Sequence, residues 1–132
     1  MKKRTIIIYW IATLWLCLGM LSTGIVQLLG TAEETEMIRR LGYPPYVLVL
    51  IGSWKIPGVI AVLLPRLPLL KEWAYAGFFF VMSGAVFSHI AVCDPFTESL
   101  PPLLLLLLTV LSWYFRPATR RTHRIAIRET NV

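Results

Sequence analysis

Four apolar runs, each close to the length that crosses a bilayer, constrain this chain more than anything else in it. They fall at about 6–29, 46–64, 73–92 and 100–115, and about twenty helical residues at 1.5 Å each span a 30 Å hydrocarbon core. Hydrophobic residues make up 57% of the chain and charged ones 15%. A water-soluble domain of 132 residues has too little interior to hide that much apolar surface. The lipid bilayer is the solvent that fits. Backbone groups facing lipid must be bonded internally, so the spans are helices. A barrel strand would alternate, and Leu103 to Leu108 does not. The expected fold is an all-α integral membrane four-helix bundle over residues 1–117, followed by a basic tail at 118–132. The first run follows Lys2, Lys3 and Arg4 as a signal peptide would, but it exceeds twenty residues and lacks a small-residue cleavage site. It reads as an uncleaved span.

Basic residues set the orientation. Ten of the thirteen Lys and Arg residues fall before span one, between spans two and three (Arg66, Lys71), or after span four (Arg116, Arg120, Arg121, Arg124, Arg128). These segments share one face, expected to be cytoplasmic with both termini, in a cell inner membrane. Tyr9, Trp10, Trp73, Tyr75, Trp113 and Tyr114 read as an aromatic belt near it. The net charge of +6 lies at the ends of apolar runs rather than in a patch interleaved with aromatics. That suits anionic lipid headgroups and gives no nucleic-acid module. Thr31 and Glu34 have capping-box spacing, and Gly42 with Pro44 is a stop signal. A short amphipathic outer helix between spans one and two is expected, with Glu36 and Arg40 as an i,i+4 pair. Cys17 and Cys93 form no CxxC and no metal-ligand spacing; they read as apolar fillers.

The polar residues inside the spans carry whatever chemistry there is. Lys55 lies about 15 Å below the outer start of span two, where a lysine costs roughly 3 kcal/mol even on lenient scales. It should face the interior, water or a carboxylate. Pro57 frees the Ser53 carbonyl as an acceptor, and Gly52 and Gly58 admit a neighbouring helix to the lysine's face. His89 and Asp94 mark the outer end of span three. Gly77, Gly84 and Ser88 form a small-residue seam for helix packing, and Gly19, Thr23 and Gln27 form a polar stripe on span one. In that outer half, the Leu-rich span four adds only wall. Three uses are open for this group: a lock on helix packing, a pocket for a small molecule or quinone, and proton or ion handling. Serine-nucleophile, HExxH and CxxC templates are missing, and His123 is far off in the tail.

LGYPPY at 41–46, Trp54 and Lys55 followed by Pro57 and Gly58, KEWAYAGFFF at 71–80, and Ser88 and His89 with Asp94 together resemble the DoxX-like membrane proteins. The resemblance covers about residues 6–115 and implies four transmembrane helices with both ends inside. The family takes its name from a small subunit of an archaeal thiosulfate:quinone oxidoreductase, and some relatives associate with thiol and oxidative-stress proteins. Its architecture is also similar to eukaryotic four-helix assembly chaperones with no redox role. The implied function is an accessory or oxidoreductase-associated subunit with a membrane or soluble redox partner; the rival is a non-catalytic scaffold. The positions matched are Lys55, His89 and Asp94, with Tyr43 and Tyr46 at the mouth. With Gln27 they make the candidate site for a quinone-like or small anionic ligand, without a metal.

Overall fold

Each apolar run folds as one long helix, and the four close into a ring. The structure, a computed structural model, describes residues 2–117 and 120. The basic tail expected at 118–132 therefore lies outside the described residues, apart from Arg120. The elements are α1 (Lys3–Leu29), α2 (Ala32–Arg40), α3 (Tyr46–Leu63), α4 (Pro68–Ala91) and α5 (Phe96–Tyr114), with no strand among the described residues. The four long helices have the length and hydropathy to cross a membrane. Going round the ring, α1 packs on α3, α3 on α4, α4 on α5 and α5 on α1. Residue 2 and residue 117 lie at one end, the terminal end; α2 and the α4–α5 turn lie at the other, the distal end.

Local sequence explains the boundaries. Gly30, at φ 63°, ends α1 with its N–H on the Gln27 carbonyl. Thr31 caps α2 by accepting the Glu34 N–H at 3.4 Å, and Gly42 at φ 89° stops the chain after it. α4 starts at Pro68, five residues before the apolar run, because proline suits the first turn and needs no N–H acceptor there. α5 starts at Phe96, which leaves Pro101 and Pro102 inside it rather than at its first turn.

Two expectations near the terminal end change. Lys71 is not a loop charge: it is 1% exposed on α4 and donates to the Ala61 carbonyl at 2.7 Å and to the Leu64 carbonyl. Arg120 donates to the Val62 and Leu63 carbonyls at 3.1 and 3.3 Å, with its guanidinium over the Trp10 ring. The last turn of α3 has carbonyls with no partner of their own, at the negative end of the helix dipole, and two cations cap them. Tyr9 and Tyr75 turn inward rather than outward. Both are buried, and the Tyr75 hydroxyl lies 2.7 Å from Ser112 Oγ, which in turn lies 2.6 Å from Thr13 Oγ1. This hydroxyl cluster ties α1, α4 and α5 where the surroundings are otherwise apolar.

α1 and α3 meet through glycines. A Cβ on Gly52 would sit 2.9 Å from the Gly24 carbonyl oxygen, and one on Gly24 would sit 3.2 Å from Lys55 Cβ. The seam expected on α4 behaves in the opposite way: a Cβ on Gly77 or Gly84 would meet nothing within 4 Å. Those two glycines leave space beside α4 rather than closing a helix contact. Gly52→Ala is therefore predicted to destabilise the bundle by about 1–3 kcal/mol, the usual range for overpacking, while Gly77→Ala stays near neutral. Thermal midpoints of the two variants in one detergent check this.

Candidate functional site

The space left by Gly84 belongs to a cavity of about 240 Å³ at the distal end. Gln27 of α1, Met37, Ile38 and Leu41 under α2, Tyr43, Lys55 of α3 and Ser88 and His89 of α4 all line it. The outer helix is its roof. The amphipathic pattern of α2 explains this, because Ile38 is buried while Glu33, Glu36 and Arg39 stay exposed.

Lys55 is 3% exposed. Among the described residues its hydrogen-bond partner is Thr23 Oγ1 at 3.0 Å. That hydroxyl donates to the Gly19 carbonyl at 2.8 Å, so its lone pairs face the ammonium. The polar stripe on α1 thus meets the lysine, as its four-residue spacing implies. Of the surroundings open to Lys55, it takes the bundle interior, and Asp94 does not bond it.

Asp94 instead orients the histidine. Its Oδ2 lies 2.7 Å from His89 Nδ1 and accepts from Arg40 at 3.1 Å. Arg40 therefore pairs across to the α4–α5 turn and not with Glu36 one turn back. The His89 hydrogen bond first, and the Arg40 charge with it, hold the Asp94 carboxyl below its ordinary range. With Asp94 ionised, His89 carries its proton on Nδ1 and leaves Nε2 for the cavity. A second tie joins the Tyr43 hydroxyl to Ser88 Oγ at 2.8 Å, and Ser88 donates to the Gly84 carbonyl at 2.7 Å. Together the two ties fasten α2 and the turn after it to α4.

Gln27, Lys55, His89 and Tyr43 are thus brought together around one space, with Asp94 behind His89. Tyr46 is not: it is 69% exposed and does not line the cavity, because at the first position of α3 it points away from the bundle. The Oε1 atom of Gln27 is buried without a hydrogen-bond partner. Cys17 is buried and Cys93 exposed; both are free, and neither lines the cavity. Sequence reasoning missed Arg40 as the partner of Asp94. The signal was available in the charges, since Arg39 and Arg40 are the basic residues of the distal loops.

Fold and site define a small four-helix integral membrane protein with a largely apolar cavity, carrying a few polar side chains, under a short roof helix. The chain belongs to the DoxX-like family, whose model matches residues 11–112. No curated protein and no solved structure gives a significant match.

The Asp94 geometry has a pH consequence. A carboxyl whose folded value is depressed contributes stability above its unfolded value, and that contribution is lost as pH falls through the folded value. Wild type should exceed Asp94→Asn in thermal stability at neutral pH, and the difference should fade below about pH 4, where carboxylates protonate. Melting curves of both proteins across that range test it.

Proposed function

We propose that this protein is an accessory, oxidoreductase-associated membrane subunit whose distal cavity holds the carbonyl-bearing ring of a quinone-like molecule or a small anion. One observation carries the reading: an ammonium with three donors and one protein hydroxyl partner faces an interior space. A carbonyl or anionic oxygen in that space gives Lys55 the acceptor that hydrocarbon denies it. Gln27 turns its amide to the same group, and His89, fixed by Asp94, bonds a second oxygen or passes a proton through Nε2. At about 240 Å³, the cavity falls below the range of roughly 300–1,000 Å³ for drug-sized ligands. It suits a single ring rather than a large cofactor.

The same residues support a second reading, because the Lys55–Thr23 bond joins α3 to α1. In that reading the protein is a scaffold or assembly factor and its polar groups only fix the packing. In either case the proposal keeps both termini in the cytoplasm of an inner-membrane protein, a reading that the basic residues of the terminal end support.

Lys55→Met separates the two. A hydrogen bond to a charged group contributes about 1.5–3 kcal/mol, so the pocket reading predicts roughly ten- to a hundredfold weaker binding of a tail-free benzoquinone, with the thermal midpoint retained. Native mass spectrometry and titration of the purified protein supply the measurement. A lower midpoint with unchanged ligand retention favours the scaffold.

A further inference from the structure

The cavity has a neighbour on the lipid-facing surface. A groove of about 370 Å³ runs between α3 and α4 and shares Ile51, Lys55 and Val81 with the cavity. Lys55 lines both spaces. Beyond it the groove is apolar, flanked by Trp54 and Trp73, which are 61% and 65% exposed. Its floor exists because Ala61 and Ala74 are small and Gly77 has no neighbour where a side chain would stand. From Ile51 to Ala61 the groove follows α3 for about 15 Å, half of the hydrocarbon thickness.

We propose that the occupant is a single-tailed amphiphile taken sideways from the bilayer, its uncharged carbonyl-bearing ring in the distal cavity and its tail in the α3–α4 groove. This rests on the pocket reading above and adds the ligand's tail and its route. The route follows from the roof. Arg40 on Asp94 and Tyr43 on Ser88 fasten α2 over the watery side, whereas the α3–α4 side opens toward lipid. The polar end then lies on the distal side of Lys55, and the tail runs from the middle of the membrane along the terminal half of α3 toward Ala61 and Trp73. The depth of Lys55 selects the head. It lies near the middle of α3, where a phospholipid's charged head would have to leave the interface at high cost. An uncharged ring with carbonyl oxygens reaches it. The groove of about 320 Å³ between α4 and α5 offers no such end, because its Glu72 is already bonded to Trp113 and Arg116.

Two glycines provide the test, since leucine at either has a Cβ that meets no atom within 4 Å. Gly77→Leu fills the groove and Gly84→Leu the cavity. The probes are a tail-free methoxy-benzoquinone and the same ring with a decyl chain, titrated by tryptophan quenching in nanodiscs of one lipid composition. After correction for partitioning into protein-free nanodiscs, wild type is expected to bind the decyl form roughly three- to tenfold more tightly than the tail-free ring, through packing of the chain against the groove walls. Gly77→Leu should abolish this gain and leave the tail-free ring unaffected; Gly84→Leu should weaken both. If the gain survives in Gly77→Leu while Gly84→Leu still removes ring binding, the groove inference is overturned and the pocket stands. If wild type binds neither form, the pocket reading fails and takes the groove with it. Should Gly77→Leu not fold, Ala61→Leu on the facing wall gives the same comparison. A co-purified phospholipid that neither ring displaces also overturns the proposal.

Discussion

A lysine set halfway along an apolar helix governs the arrangement of the other helices. Its charge is costly in hydrocarbon, and a lone buried ion persists only with partners. α3 offers little of its own: its backbone is spent on helix bonds except where Pro57 leaves the Ser53 carbonyl free, and the ammonium bonds Thr23 of α1 instead. α1 must bring Thr23 within reach, which requires close approach of the two backbones, and Gly24 against Gly52 allows it. One ammonium thus explains the glycine contact, the hydroxyl beside it and the pairing of α1 with α3.

The short outer helix follows from the same constraint. A polar interior open to the distal surface would flood, and the ammonium would gain water instead of protein partners. α2 covers it with Met37, Ile38 and Leu41 while keeping its acidic first turn outward. So short a helix has little packing of its own to hold it. Arg40 on Asp94 and Tyr43 on Ser88 supply the fastening, and the first of these also fixes the histidine ring. Roof and imidazole are set by one carboxylate.

Much of this was legible in the sequence, for physical reasons. Helix existence follows from run length in a solvent that forbids unpaired backbone, and the α2 cap follows from Thr31 and Glu34. The grouping of Gln27, Thr23, Lys55 and His89 follows from helical period and depth. What was not legible depends on which helices are neighbours. Gly52 and Gly77 are alike on paper, yet a Cβ on one would touch a backbone carbonyl and on the other would meet nothing within 4 Å, because α1 crosses α3 at Gly52 while no neighbouring group stands opposite Gly77. Lys71 read as a topology charge since its partners, the Ala61 and Leu64 carbonyls, are backbone groups that no residue pattern announces. Thr13 and Ser112 lie 99 residues apart, and single hydroxyls among leucines carry no spacing signal.

The two ends of the bundle differ in how completely their polar groups are matched. At the terminal end Thr13, Tyr75 and Ser112 bond one another, Glu72 bonds Trp113 and Arg116, and Lys71 and Arg120 bond carbonyls. The Tyr9 hydroxyl there lies beside Tyr75, at the edge of that cluster. At the distal end the Gln27 Oε1 atom is unmatched and the Lys55 ammonium has bonding capacity to spare, and both line the same space. Buried polar groups are as a rule matched. The proposed pocket uses these two residues of the cavity lining, beside an imidazole held in a fixed orientation by Asp94. A packing lock has no need of the cavity: it would be tighter with a side chain at Gly84.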